Sequence, residues 1–108
     1  MVLDDDQFWA FCNLGYLFYR RGQPARGAKI FRGLTALYPN EPYPWIGLGA
    51  CRRALGRAQA SAEAYQKAME AKPDSVRARV ALAELLHEHG ADADARTILL
   101  HLRESPPD

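Results

Sequence analysis

The stretch Trp45–Gly56, WIGLGACRRALG, packs three glycines, a cysteine and two adjacent arginines into twelve residues. Three readings compete for it: a phosphate-cradling loop, a reactive thiol, or a unit of packing. Gly47-Leu48-Gly49 opens like a dinucleotide fingerprint, but the third glycine of G-x-G-x-x-G falls on Arg52. That fingerprint also needs a strand before it, and Glu41-Pro42-Tyr43-Pro44 is a poor strand because proline gives no N–H to a ladder. The purpose of the glycines is settled by the rest of the chain.

Gly56 has counterparts at Gly22 and Gly90, each 34 residues away, and Pro39, Pro73 and Pro107 repeat with the same spacing. The residues after those prolines, Asn40, Asp74 and Asp108, are all of the type that caps helix N-termini. Agreement in three columns identifies three tandem units, residues 8–41, 42–75 and 76–108, within a single domain spanning 1–108. On both sides of each central glycine the apolar residues recur at helical spacing, so every unit reads as two antiparallel helices joined by a tight turn. The expected helices are 7–20, 24–38, 42–54, 58–71, 75–88 and 92–103, and the fold class is all-α. In this scheme the glycine ends the first helix in a left-handed conformation, and the proline stops the second.

With 48% hydrophobic and 25% charged residues, the composition is that of a globular domain. A net charge of +1 gives no overall steering toward nucleic acid or membrane. Eight basic residues and one acid, Glu41, lie between Arg20 and Arg57; this asymmetry reads as a solvated face. The N-terminal MVLDDD lacks the features of a signal peptide, and no apolar run reaches the roughly 18 residues that span a bilayer. The expectation is a cytoplasmic protein without membrane insertion. Cys12 and Cys51 form neither a C-x-x-C pair nor a Cys/His cluster, so both are expected as free thiols that pack as small hydrophobes.

The middle unit, with Trp45, Leu48, Gly49, Tyr65, Ala68 and Pro73, resembles the tetratricopeptide repeat (TPR) family. The first unit matches through Phe11, Leu14, Gly15, Phe18, Phe31 and Pro39. The third matches more loosely, through Leu82, Ala83, Leu86, Ala95, Leu99 and Pro107, with Arg79 in place of the tryptophan. The resemblance implies three helix-turn-helix repeats forming a short right-handed superhelical array with a concave groove. Gly15, Gly49 and Ala83 are equivalent and small, as close crossing of the two helices in a unit requires; a mid-helix glycine otherwise costs about 1 kcal/mol.

By the family's geometry, the second, fifth, ninth and twelfth residues of each unit line the groove. These are Trp9, Cys12, Tyr16 and Tyr19, then Tyr43, Ile46, Ala50 and Arg53, then Arg77, Val80, Glu84 and His87. Aromatics on such a surface suit the capture of a partner chain. Receptors for the acidic tails of heat-shock chaperones carry a carboxylate clamp in this groove; here Cys12, Tyr16 and Gly47 occupy clamp positions and only Arg77 remains, which disfavours that use. Arrays of this family also end in a covering helix. None is expected after the sixth helix, so part of the Ile98, Leu99, Leu100 and Leu102 surface should stay open to self-association or a partner.

Nothing points to catalysis. His87-Glu88-His89 has the wrong spacing for a zinc pair on one helix, which prefers i and i+4, and reads as solvated. Asp92 and Asp94 sit where acids complement a helix N-terminus. No serine or threonine stands in a nucleophile elbow, and helical neighbours diverge by about 100°, so Arg52 and Arg53 need not activate Cys51. No enzyme activity, cofactor or metal is expected.

GLGACRRALG followed by AYQKAMEAKPD is similar to the central repeat of the TPR chaperones of bacterial type III secretion. This implies a bacterial cytoplasmic chaperone that holds a secreted or export-apparatus protein, through an apolar or helical segment, in its groove. The translocator chaperones are longer than this chain, whereas the smaller three-repeat chaperones of the same systems match its size. A homodimer and a hetero-complex both stay open. The alternative is a TPR scaffold or adaptor for an assembly unrelated to secretion.

Overall fold

In the computed structural model the backbone is described for residues 2–104 and the side chains for residues 2–101. Pro107 and Asp108, the third members of their columns, lie outside the described residues, as does the side chain of Leu102. The described chain is six helices: α1 (Asp5–Arg20), α2 (Pro24–Leu37), α3 (Pro42–Ala54), α4 (Ala58–Ala71), α5 (Val76–Glu88) and α6 (Asp92–Glu104). Gly22, Gly56 and Gly90 turn the chain within each pair at φ of +75°, +77° and +78°. That left-handed conformation carries no Cβ penalty in glycine alone.

Helix starts follow local chemistry. α1 begins two residues before the expected boundary because Asp4 and Gln7 form a reciprocal capping box: Asp4 Oδ1 accepts from Gln7 N at 2.8 Å, and Gln7 Oε1 from Asp4 N at 3.0 Å. The expectation for Asn40 and Asp74 is corrected here. Both sit in turns, and the N-caps are the next residues, Glu41 and Ser75. Ser75 Oγ accepts from Ala78 N at 3.2 Å. Glu41 makes no side-chain cap bond; Pro42 and Pro44 leave fewer N–H groups at that end to satisfy.

Each loop between pairs is pinned from the following helix. Trp45 Nε1 donates to the Pro39 carbonyl at 2.9 Å, and Arg79 Nε donates to the Pro73 carbonyl at the same distance. Arg79 therefore replaces the family's tryptophan in its hydrogen-bonding role.

Successive helices pack on one another throughout, and α1 also touches α3 and α3 touches α5, whereas among the described residues α2 and α4 make no such contact. First helices that meet while second helices splay make an array curved with α1, α3 and α5 on the inside. One core joins Phe8, Cys12, Ala28, Phe31, Leu34, Leu48, Cys51 and Ala64; a second centres on Tyr65, Leu82 and Leu85. Within the middle pair, Ser61 Oγ donates to the Gly49 carbonyl at 2.7 Å in a buried contact. That bond requires the close crossing for which Gly49 is needed.

Candidate partner-binding groove

The middle of the concave side is a cavity of about 230 Å³ lined by Tyr16, Tyr19, Tyr43, Ile46, Ala50 and Arg77 over Phe31, Gly47, Tyr65 and Ala81. Glycine makes this floor. A Cβ on Gly47 would stand 2.4 Å from Phe31 Cζ, and one on Gly49 would stand 2.4 Å from Tyr65 Cε1. Both rings could not lie so close beneath the groove if α3 carried ordinary side chains there. Burial pushes the Tyr65 hydroxyl above its usual pKa, with Ser61 and Arg53 acting in the opposite direction.

The walls are aromatic. Tyr16 and Tyr19 stack with centroids 5.8 Å apart, and the Arg20 guanidinium lies 5.9 Å from the Tyr16 ring. Tyr43 and Trp9 pack in a T-shaped pair with centroids 5.3 Å apart, and the Arg77 guanidinium lies over the Tyr43 ring at 5.5 Å. Residues 9, 43 and 77 are thus rungs of one ladder, spaced by the repeat. A cation over an aromatic face in a partly desolvated site is worth about 0.5–2 kcal/mol, enough to hold Arg77 at the groove wall.

Of the residues expected to line one groove, Tyr16, Tyr19, Tyr43, Ile46, Ala50 and Arg77 come together. Trp9 is 48% exposed and stands at the margin, in a shallow hollow with Leu3, Asp5, Phe8, Tyr38 and Glu41. Cys12 is a correction: it is fully buried in the core with Phe8, Phe31, Leu48 and Cys51 and does not line the groove. Its side chain is too short to emerge where α3 leans against α1. Arg53 turns toward α5, with Nε donating to Glu88 Oε2 at 3.0 Å, a second contact from Nη2 to Glu88 Oε1, and Nη1 3.6 Å from Glu84 Oε2. Val80, Glu84 and His87 lie further along, in an open cleft between α5 and α6 with Ala83, Asp92, Ala95, Arg96 and Leu99. There His87 Nδ1 pairs with Asp92 Oδ1 at 2.7 Å.

Phe31, Gly47, Tyr65 and Ala81 are the lining residues that the groove positions did not include. Their signal was an aromatic sixteen residues ahead of a small residue, on the helix before it: Phe31 before Gly47, and Tyr65 before Ala81. Both cysteines are free thiols buried in the core. Burial lifts both thiols from 9.0 to about 11, with the Glu41 charge adding to the effect at Cys12. Among the described residues no three His, Cys, Asp or Glu side chains converge as metal ligands, and no helix is long and apolar enough to cross a membrane.

Models of the tetratricopeptide repeat match residues 12–76 and 52–108. The chain belongs to the tetratricopeptide repeat family. Among solved structures, this TPR array is similar to the type III secretion translocator chaperone SycD of Yersinia enterocolitica. The TM-score is 0.85 at 26% identity, covering 94% of this chain and 76% of that one. It is equally similar in sequence to PcrH in complex with the chaperone binding region of PopB, with a TM-score of 0.83 at 26% identity, covering 94% and 82%. Among curated proteins, the peroxisomal targeting signal receptor of Candida glabrata is 36% identical over 70 residues, or 65% of this TPR chain. The chain spans only 12% of that relative's length. The family and these relatives point to protein binding and away from catalysis.

Proposed function

We propose that this TPR protein is a chaperone of bacterial type III secretion, acting in the cytoplasm without a cofactor and holding an apolar segment of a secreted or export-apparatus protein in its groove. The observation that carries this reading is the aromatic cavity of Tyr16, Tyr19, Tyr43 and Ile46, closed at one wall by Arg77 over Tyr43. Two further points support it. Similarity to the secretion chaperones runs along 94% of the chain, and one of those relatives holds the chaperone binding region of PopB. In this reading the three units act as one domain, apolar contacts supply the affinity, and Arg77, Arg53 and Glu84 set the register of the bound segment.

The match to the peroxisomal targeting signal receptor favours a second reading, a TPR adaptor that recognises a peptide outside secretion. Co-expression separates the two. A chaperone keeps a hydrophobic secreted protein encoded beside it soluble and co-purifies with it, and Tyr16→Ala together with Tyr43→Ala abolishes that rescue. If each co-encoded secreted protein is equally soluble without this chain, the secretion reading is wrong and the adaptor reading stands.

A further inference from the structure

Among the described residues, the first and last helices expose faces that the same repeat positions bury between them. Pro44, Leu48 and Cys51 on α3 are buried, as are Ala78, Leu82 and Leu85 on α5. In each case the second helix of the preceding pair supplies cover: Ala28, Phe31 and Leu34 for α3, and Tyr65 and its neighbours for α5. The equivalent residues of α1 are Ala10, Leu14 and Leu17, and the two leucines are 40% and 42% exposed. At the other end, Leu99 occupies the position of Phe31 and Tyr65 but is 44% exposed, beside a cleft of about 600 Å³ between α5 and α6. That cleft is the next seat in the series, since α5 and α3 fill its equivalents one and two repeats earlier, respectively.

We propose that the two ends are complementary and that copies of this chain stack head to tail, α1 of one copy occupying the α5–α6 cleft of another. Continuity with the stacking already present inside the chain identifies a second copy as the occupant. Shape agrees with it. Inside the array a large ring faces a very small residue, Phe31 against Gly47 and Tyr65 near Ala81; across the ends the smaller Leu99 meets the larger Asn13, the residue equivalent to Gly47. Ala95 leaves the seat open to a helix as the small Gly27 and Ser61 do within the chain. Charge agrees as well: the ladder Trp9, Tyr43, Arg77 ends on a cation, and the next rung is the half-exposed Trp9 of the second copy, the ring type that binds a cation best. A head-to-tail contact of this kind is heterologous and does not close on itself.

Sedimentation equilibrium tests the proposal through complementation. The parent is expected to gain mass continuously, past two copies, between about 10 µM and about 1 mM. Leu14→Glu spoils the inserting helix and Leu99→Glu the seat, so each alone should remain a monomer. An equimolar mixture should form a 1:1 pair and nothing larger, because one intact seat and one intact helix remain. Leu17→Glu replaces Leu14→Glu if the latter loses the parent's circular dichroism. A monomeric parent overturns the proposal, as do variants that assemble like the parent, or a parent mass that levels off at two copies while the mixture stays monomeric.

Discussion

Three glycines of one residue type carry opposite expectations for the same substitution. Gly47 and Gly49 face aromatic carbons that an added Cβ would approach to 2.4 Å, whereas nothing lies within 4 Å of a Cβ at Gly33 in α2. Overpacking of about 1–3 kcal/mol outweighs the helix-propensity gain of about 1 kcal/mol at the first two sites. Gly47→Ala and Gly49→Ala should therefore lower the melting temperature by several degrees, and Gly49→Leu by more, while Gly33→Ala should raise it by the equivalent of about 0.5–1 kcal/mol. A Gly49→Leu variant that melts with the parent would contradict this packing. The cysteines give a second expectation at this scale. Thiols raised to about 11 stay protonated and buried at pH 8, so native protein should resist thiol reagents and label fully only in denaturant. Because the folded pKa lies above the unfolded value near 9, the associated stability is intact below pH 9 and is lost as pH rises toward 11; rapid native labelling of Cys51 at pH 8 would refute the inert assignment.

The elements were legible because turn chemistry repeats with the chain. The 34-residue columns of glycine and proline placed all six helices, and α3 (Pro42–Ala54) and α4 (Ala58–Ala71) match their expected bounds. What the columns could not show was which residue of a turn caps the next helix. Asn40 and Asp74 have capping side chains, but the helices start one residue later, where Ser75 reaches Ala78 N and prolines reduce the need after Glu41. Arg79 was also opaque, since only the geometry reveals that it bonds the Pro73 carbonyl as Trp45 bonds that of Pro39. The turn itself can be tested at Gly56, where φ is +77° and no atom crowds a Cβ. Gly56→Ala should cost about 1–2 kcal/mol from backbone strain alone, and Gly56→Asn less, because asparagine tolerates the left-handed region. Equal melting temperatures for both variants and the parent would remove the turn from the account.

At the scale of the molecule, the groove follows from unequal packing: first helices touch, second helices do not, and the curvature brings residues from three helices to one concave surface. Repeat arithmetic located Tyr16, Tyr19, Tyr43, Ile46 and Arg77 because it fixes which residues share a helix face. It misplaced Cys12, since face alone does not say how far a short side chain projects past a crossing helix. It also grouped Val80, Glu84 and His87 with the central residues, although Arg53 bridges to Glu84 and Glu88 between the cavity and the terminal cleft. Exposed ion pairs of this kind contribute about 0–1 kcal/mol, so Arg53→Ala should change affinity for a partner by less than loss of the aromatic walls. Titration calorimetry with a partner recovered by co-expression, comparing the parent with the Tyr16→Ala, Tyr43→Ala double variant, bears on the groove without intermediate assumptions. Dissociation should be at least about tenfold tighter for the parent, about 1.4 kcal/mol or more; equal affinity in a double variant that melts like the parent would place the binding surface elsewhere.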